Sequence, residues 1–358
     1  MARILFITRS MGFGGAAKML CFVAESLQSR SHDVCIINMK STGNISEYER
    51  KVSSDVTVYT IKSSGRLQQI FEIKRVAKQF SADVIIGFTE IPNVIARVVG
   101  GMLGKPSIIS ERGDPRRTGV GKGVKNKLVL KLINTSSGGV FQTEGARHFY
   151  GRGLQKRGVV IPNPIFITDE IPQVNNMERE RTVVSVGRLS NEQKRYDVML
   201  DAFKLFLEKH PDYILKLYGK GEDEELIRSF VEDRGLSDKV RFMGLTTKPM
   251  QDICRDGMFL ITSDYEGISN SLLEAMAVGL PCVSTDHTPG GARLLIQNGE
   301  NGLLAPMGDA PGLAKAMCRF ATDEELAMKC GERAKEVTSL YSPERIINMW
   351  ESYIKDII

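Results

Sequence analysis

Short apolar runs alternate with amphipathic segments from the start of the chain. The run "ARILFIT" enters a glycine-rich turn and is followed by "AKMLCFVAESLQSR", whose apolar residues recur at helical spacing, and then by a second apolar run, "HDVCIINM". Continuous apolar runs of this length are typical of strands that are buried on both faces of a parallel sheet. Their alternation with helices predicts a doubly wound α/β domain.

The same alternation restarts in the second half of the chain. Residues 166–180, "FITDEIPQVNNMERE", are polar and lack an apolar period, which is typical of a linker. Then "TVVSVGRL", "YDVMLDAFKLFLEKH" and "YILKLYGKG" repeat the strand–helix–strand order, and 358 residues suffice for two domains. We therefore expect a Rossmann-like domain over 1–165, a linker over 166–180 and a second Rossmann-like domain over 181–340. The tail 341–358 is predicted to form a helix, with Ser342 as its N-cap and Pro343 at its first position.

Composition excludes several classes of protein. The net charge of +5 is a mild basic bias, too small for a nucleic-acid-binding protein but compatible with an anionic ligand or membrane surface. No apolar run approaches the ~20 residues of a membrane-spanning helix, and the N-terminal run is too short for a signal peptide. The six cysteines form no C-x-x-C pair, the four histidines share no ligand spacing, and the sequence contains no Asp-x-Asp motif. We expect a cytoplasmic protein with reduced thiols and no metal site.

The stretch "SMGFGGAAK" reads as a phosphate-binding turn between a strand and a helix. Gly12, Gly14 and Ala17 fit the G-x-G-x-x-G/A spacing of a dinucleotide site, although such glycines also occur in plain tight turns. A nicotinamide site needs an acidic residue at the end of the second strand, and here that strand ends in "IINMKST". The missing acid argues against a dehydrogenase, which stays the less favoured alternative.

The stretch "SDYEGISNSLLEAMAVGLPCVSTD" is the most informative part of the sequence. It reads as a loop and helix between two buried strands, so the loop lies at the carboxyl end of a strand, where open α/β sheets bind ligands. Glu266 lies in this loop, and Glu274 shares a helix face with Asn270 and Ser271. The loop amides of residues 267–269 (Gly267, Ile268 and Ser269) are expected to point towards an anion at the helix N-terminus.

These residues resemble a known family. "EGISNSLLEAMAVGLP" is similar to the E-x7-E signature of retaining GT-B glycosyltransferases of family 4, the group 1 transferases. "GFGGAAKML", "VVIPNPI", "SVGRLSNEQKRYDVMLDAF" and "STDHTPGGARLLIQNGENGLLAP" resemble further motifs of that family, and the tail resembles its terminal helix, which crosses back onto the first domain. The resemblance implies a GT-B fold, in which two Rossmann-like domains face each other across a cleft. It also implies transfer of a sugar from a nucleotide-diphosphate donor with retention of configuration.

The resemblance also implies roles for residues of the second domain. Arg188 and Lys194 match the pair of cations that binds the diphosphate, and no metal is then required. Glu274 would bind the ribose hydroxyls and Glu266 the donor sugar, while backbone groups around Gly244 would bind the base. Asn270 and Ser271 complete the expected donor site.

In the first domain, the resemblance implies that Gly14 and Gly15 approach the diphosphate. Many family members carry a catalytic-region histidine where this sequence has Arg112, in "SIISERGDP". Arg112 is therefore a candidate that binds either the donor sugar or an acceptor phosphate. With Glu266, Arg188 and Lys194 it completes the set of candidate catalytic residues.

The donor is expected to be a UDP-sugar, and an N-acetylhexosamine is one candidate for the transferred group. The acceptor is expected to be a saccharide or a polyprenyl-diphosphate-linked saccharide in the synthesis of a bacterial surface polysaccharide or glycan. Residues 112–134 are rich in Arg and Lys, and Leu128, Val129, Leu132 and Ile133 recur near helical spacing. This segment predicts either a peripheral contact with an anionic membrane or a solvated basic face. A GT-B epimerase or hydrolase and a non-catalytic nucleotide-sugar-binding protein are the alternative functions.

Overall fold

The computed structural model describes residues 1–12, 15–39, 52–117, 123–167, 174 and 179–358. The chain forms two compact units. The first contains Met1–Asn163 together with Glu344–Ile358, and the second contains Pro164–Pro343.

The first unit is built on a parallel sheet of seven described strands in the order β3-β2-β1-β4-β5-β6-β7. Its strands are β1 (Arg3–Thr8), β2 (Asp33–Asn38), β3 (Thr57–Thr60), β4 (Val84–Phe88), β5 (Ser107–Glu111), β6 (Gly138–Phe141) and β7 (Gly158–Val160). From β3 to β1 the strands lie in the reverse of their order along the chain, and from β4 onwards they follow it. The boundary between β1 and β4 is the switch point of a doubly wound sheet. The central strands β4 and β5 are buried along their whole length, whereas the edge strand β3 is mostly exposed.

Helices connect these strands and cover the sheet. They are α1 (Gly15–Ser29), α2 (Arg66–Gln79), α3 (Glu90–Leu103), α4 (Gly123–Ile133), α5 (Glu144–Arg147) and α6 (Arg152–Arg157). Gly87 lets α3 lie close to β4, because a Cβ there would be 2.5 Å from the backbone of Asn93. The buried side chain of Asn93 exchanges two hydrogen bonds with the backbone of Ser110, at 3.0 and 3.2 Å, and so fixes α3 against β5.

The second unit is built on a parallel sheet whose six described strands have the order β10-β9-β8-β11-β12-β13. Its strands are β8 (Thr182–Val186), β9 (Ile214–Tyr218), β10 (Val240–Gly244), β11 (Met258–Ile261), β12 (Cys282–Thr285) and β13 (Leu303–Ala305). Its helices are α7 (Asn191–Lys194), α8 (Tyr196–Leu207), α9 (Glu224–Asp233), α10 (Pro249–Ile253), α11 (Asn270–Ala277), α12 (Gly291–Leu295), α13 (Ala310–Thr322), α14 (Glu324–Ala334) and α15 (Val337–Leu340).

The largely buried side chain of Arg179 links the segment before β8 to the end of helix α11. The Arg179 side chain donates hydrogen bonds to four backbone carbonyls, those of Cys254, Asp256, Val278 and Gly279, at 2.7 to 3.3 Å. Two of these carbonyls follow directly after α11, so Arg179 satisfies groups that a helix C-terminus leaves unpaired.

The terminal helix α16 (Pro343–Ile357) belongs to the first unit apart from its first residue. Trp350, the single tryptophan of the sequence, is fully buried and stacks on Phe88, with 6.0 Å between the ring centroids. The Tyr353 hydroxyl accepts a hydrogen bond from the Gly139 N–H at 2.8 Å. Arg30 pairs with Glu351 at 2.7 Å. The helix thus completes the first unit's core and is not a loose extension of the second.

The described part of the chain contains no helix that is long and apolar enough to cross a membrane. All six cysteines are free thiols, and five of them are buried.

Candidate active site

The strand order of the second sheet reverses between β8 and β11. Ligands of open α/β sheets bind beyond the carboxyl ends of the strands at such a switch point. The segment with Arg188 and Lys194 follows β8, and the loop with Glu266 follows β11. The topology therefore brings together residues that are more than seventy positions apart in the sequence.

Lys194 and Glu266 form an ion pair at this point. The Lys194 ammonium donates a hydrogen bond to Oε1 of Glu266, and the two side chains are only 13% and 11% exposed. The Ser263 hydroxyl donates to the same carboxylate oxygen at 2.8 Å. A cation and an anion are thus held side by side, largely out of water.

The pair controls the protonation of the carboxylate. Burial by itself raises the pKa of Glu266, but the positive charge of Lys194, the His287 ring and the hydrogen bonds from Lys194 and Ser263 outweigh it, so the pKa is lowered overall. Glu266 is therefore ionised at neutral pH and acts as a hydrogen-bond acceptor. An ionised carboxylate cannot donate a proton, which rules out a general-acid role in this state.

Backbone and side-chain hydrogen bonds join the segment that carries Lys194 to the loop that carries Glu266. The Thr262 hydroxyl donates to the Lys194 carbonyl at 2.7 Å, and the Asp264 N–H donates to the Gln193 carbonyl at 3.0 Å. Arg195 has a left-handed backbone with a φ of 53°, which ends the short helix α7 directly after Lys194.

The Arg195 guanidinium is neutralised inside the protein. It pairs with Asp197 at 2.9 Å and with Asp264 at 3.0 Å. A cation next to Lys194 could add charge for a ligand or face solvent. The two aspartates show instead that it ties the β11 loop to the start of α8 and so supports the neighbouring Lys194.

Helix α11 begins immediately after the Glu266 loop. Ser269 is its N-cap, and the Ser269 hydroxyl accepts from the Leu272 N–H at 3.4 Å. Gly267, Ile268 and Ser269 are buried, and the Gly267 carbonyl lies so close to Gly291 that a Cβ there would be 1.7 Å away. The loop backbone is therefore tightly fixed.

The remaining donor-site candidates on α11 are partly buried. They are Asn270, Ser271 and Glu274. Asn270 and Glu274 are four positions apart, which places them on one face of the helix, as the sequence predicts.

Arg188 follows β8, and Gly244 lies at the end of β10. Arg188 is exposed in the loop after β8. Gly244 ends β10 with a φ of 74°, a conformation that favours glycine, and its carbonyl accepts from the Gly219 N–H at 2.8 Å. That carbonyl is engaged in the fold, so a role in base binding would fall to other backbone groups of the segment.

His287 is a site residue that sequence reasoning missed. It is 1% exposed and lies close enough to Glu266 and Lys194 for their charges to act on it, and burial lowers its pKa. It stands in "STDHTPGG", within a stretch that resembles a motif of the family. A histidine directly after a buried strand of the same sheet was the available signal.

The first-unit candidates form a separate group. Arg112 directly follows β5, is partly buried, and bonds Asn163 through its Nη2. Gly15 is the first residue of α1 and is exposed, whereas Gly14 lies outside the described residues. Contact of Gly14 and Gly15 with a diphosphate stays a prediction.

The basic segment 112–134 is described except for residues 118–122. Within α4, Ile133 is buried and Val129 packs against the core cluster around it, together with Leu130. Leu128, in contrast, is 62% exposed. Val129 and Ile133 of the apolar stripe are therefore core-facing, whereas Leu128 is exposed.

No group of three or more His, Cys, Asp and Glu side chains that could hold a metal ion occurs among the residues that the structure describes.

Comparison with known proteins shows that the second unit is similar to a known family. Residues 167–337 match the model of the family described as "Glycosyl transferases group 1". A Streptomyces coelicolor protein named exopolysaccharide phosphotransferase SCO2592 is 28% identical over 80% of this chain, but over 30% of its own length. The Campylobacter jejuni GalNAc-alpha-(1->4)-GalNAc-alpha-(1->3)-diNAcBac-PP-undecaprenol alpha-1,4-N-acetyl-D-galactosaminyltransferase is 24% identical over 100% of this chain and 99% of its own. This chain thus spans under a third of the first relative and nearly all of the second.

Solved structures show the fold. HepE from Anabaena, crystallised in complex with UDP-glucose, superimposes with a TM-score of 0.80 at 18% identity, over 99% of this chain and 100% of that chain. The two parallel-sheet α/β units of this chain are those of the GT-B fold, which confirms the fold class that the sequence predicts.

Proposed function

We propose that this chain is a member of the group 1 glycosyltransferases, whose family model matches residues 167–337, and that it transfers a sugar from a UDP-sugar to a saccharide or lipid-linked saccharide. The transfer retains the anomeric configuration and needs no metal ion. The observation that carries the proposal is the Lys194–Glu266 ion pair at the switch point of the second sheet.

The leaving group of such a transfer is a nucleoside diphosphate, whose negative charge grows as the sugar departs. Lys194 supplies a compact positive charge, and the exposed Arg188 supplies a guanidinium that can bind two phosphate oxygens at once. Fixed cations aimed at developing charge are the main way in which such sites lower a barrier. In this proposal these two residues do the work that a metal ion does in other sugar transferases.

The two glutamates bind rather than transfer protons. Because Glu266 is ionised, it accepts hydrogen bonds from hydroxyls of the donor sugar, and Glu274 accepts those of the ribose. The leaving phosphate then takes the proton of the acceptor hydroxyl on the same face of the sugar, so no protein base is assigned. His287, with its lowered pKa, is neutral at pH 7 and completes the wall behind Glu266.

The nature of donor and acceptor is supported by relatives. HepE was crystallised with UDP-glucose, and the name of the Campylobacter protein specifies an undecaprenol-linked acceptor. In this proposal, which these relatives support, the donor of the present chain is a UDP-sugar, an N-acetylhexosamine being one candidate. The acceptor is a growing surface glycan on a polyprenyl diphosphate.

A lipid-linked acceptor requires contact with a membrane, and the first unit offers an exposed apolar and basic face. Leu67 and Phe71 on α2 are 73% and 59% exposed, one helical turn apart, and Leu128 is exposed on α4. Helix α3 packs against both α2 and α4. Helix α2 also carries Arg66, Lys74, Arg75 and Lys78. We assign this face to peripheral binding of an anionic bilayer on the cytoplasmic side.

The test is an assay with radiolabelled UDP-sugars and a polyprenyl-diphosphate-linked saccharide acceptor, with and without EDTA. We expect labelled lipid product with an anomeric configuration equal to that of the donor, and no loss of rate in EDTA. Glu266→Gln should lower kcat about a hundred-fold or more, while the exposed Glu325→Gln keeps the wild-type rate. Release of free sugar or an epimerised donor, without acceptor product, would replace the proposal with hydrolase or epimerase activity.

A further inference from the structure

Arg112 has a partly buried guanidinium, and some of its N–H groups have no hydrogen-bond partner among the described residues. Its Nη2 donates to Oδ1 of Asn163, whereas its Nε and Nη1 are buried and have no hydrogen-bond partner among the described residues. Buried polar groups in folded proteins are rarely left without partners, so each exception calls for a physical reason.

The neighbouring carboxylate does not supply the missing partner. Glu111 is buried, and its Oε1 accepts from the backbone N–H of Arg112 at 3.0 Å. Its Oε2 accepts from the Tyr150 hydroxyl at 2.8 Å. Both oxygens are thus used to fix the backbone after β5 and a neighbouring ring, and neither of them bonds the guanidinium.

The guanidinium is nevertheless held in one place. Asn163, its anchor, is itself fixed because its Oδ1 also accepts from Nε2 of Gln142 at 2.7 Å. The ring of Phe88 lies on the other side, with its centroid 5.6 Å from Cζ of Arg112. A rigid cation with unused N–H groups is preorganised to bind a ligand, because little freedom is lost when the ligand arrives.

The chemistry of this arrangement favours an anion. A buried positive charge that forms no ion pair with the described residues is costly, and burial outweighs the charge of Glu111 and lowers the pKa of Arg112 to about 9. A sugar hydroxyl would satisfy an N–H group but leave the charge uncompensated. A phosphate oxygen does both, and guanidinium–phosphate bonds are among the stronger hydrogen bonds in proteins.

We propose that Arg112 is a phosphate-binding residue of the first unit, and that it takes a phosphate of the lipid diphosphate on the acceptor. The assignment of the source rests on the proposed function, in which Lys194 and Arg188 of the second unit already serve the diphosphate of the sugar donor. Arg112 then positions the acceptor by its charged end, whereas the saccharide hydroxyl that is glycosylated lies elsewhere on the same molecule.

The test is calorimetric binding of two probes to the full chain at low salt, without turnover. The probes are geranyl diphosphate, which represents the acceptor, and UDP, which represents the donor. Arg112→Gln should weaken geranyl diphosphate at least about ten-fold, the loss expected for a charge-assisted hydrogen bond, and change UDP affinity by less than two-fold. Arg152→Gln, a matched change at an exposed arginine of the same unit, should alter neither affinity.

Each other outcome also decides a point. If Arg112→Gln weakens UDP instead, the residue binds phosphate but from the donor, and the acceptor assignment is overturned. If it changes neither probe, the phosphate site is overturned. If the wild type binds geranyl diphosphate but not UDP, the proposed UDP-sugar function fails while the Arg112 site stands. Should Arg112→Gln perturb the fold, seen in Trp350 fluorescence, Asn163→Ala replaces it and should likewise weaken geranyl diphosphate but not UDP, because it keeps the charge of Arg112 and removes its anchor along with the bond from Gln142.

Discussion

Replacing Lys194 with methionine removes the charge of the ion pair while keeping most of the side chain's volume. The Glu266 carboxylate is then left largely buried and keeps only its bond from Ser263 as a described side-chain donor. Breaking a buried pair by removing one partner costs about 3–5 kcal/mol. Because Ser263 and residual solvent contact remain, we take the lower end, about 3 kcal/mol. For a unit of 150–250 residues each kcal/mol shifts Tm by about 2–4 °C, so Tm should fall by about 6–12 °C.

The loss should depend on pH in a defined direction. In the wild type the pKa of Glu266 is lowered, so the pair stabilises the second unit above the unfolded pKa of the carboxyl, about 4.3. That contribution is lost as the pH falls through the lowered pKa. In Lys194→Met the largest contribution that opposes burial is lost and burial raises the pKa of Glu266, so the destabilisation should be largest at neutral pH and shrink towards pH 4.

The assay is thermal unfolding at several pH values, followed by circular dichroism and by the fluorescence of Trp350. Circular dichroism reports both units, whereas the single tryptophan reports the first unit. Lys194→Met should lower the Tm of the unfolding transition that circular dichroism detects in the second unit. The Tm detected by Trp350 fluorescence should stay nearly unchanged. The double variant with Glu266→Gln should lose less than the sum of the single variants, by at least about 1 kcal/mol. Additive losses, or a Tm within 2 °C of the wild type, would refute the buried pair.

Three further changes test other parts of the structure. Burial raises the pKa of Glu111 to about 7, above its unfolded value, so ionisation destabilises the first unit as the pH rises from about 4 to 7. Glu111→Gln should flatten the pH dependence of the Trp350 fluorescence transition, and an unchanged slope would contradict the assignment. Arg179→Met leaves four carbonyls without their donor and should lower the dichroism Tm by several degrees, whereas Arg181→Met, at an exposed neighbour, should not; equal shifts would argue against the fastening role. Phe71→Ser should reduce flotation with phosphatidylglycerol vesicles at low salt, and full retention would remove α2 from the membrane face.

The sequence predicted the two sheets well because their central strands are buried on both faces. Such strands read as continuous apolar runs, and their alternation with helices restricts the topology to a doubly wound order. The candidate pair Lys194 and Glu266 was also accessible, since each follows a strand end, and the carboxyl ends of parallel strands lie at one edge.

Other features depend on contacts that no local pattern encodes. The charge of Arg195 is cancelled by Asp264, 69 positions away, and Arg112 is anchored by Asn163, 51 positions away. The amphipathic pattern around Leu128 predicts either a membrane contact or a solvated face, yet Val129 of the same stripe packs against the core cluster around Ile133. The exposed Phe71 lies on a helix whose periodicity is that of an ordinary surface helix. For both arginines the distant partner, rather than the residue itself, decides the role.

The measurement that tests the central claim most directly is the thermal stability of the full chain with a panel of nucleotide sugars. UDP-glucose, UDP-N-acetylglucosamine, UDP-N-acetylgalactosamine and GDP-mannose are compared at equal concentration. A ligand at 100 times its Kd stabilises the unit that binds it by about 2.7 kcal/mol. We expect one or two UDP-sugars to raise the dichroism Tm by about 5–10 °C in the wild type and by far less in Glu266→Gln. A flat response across the whole panel, or an equal response of the variant, would contradict a UDP-sugar site at Lys194 and Glu266.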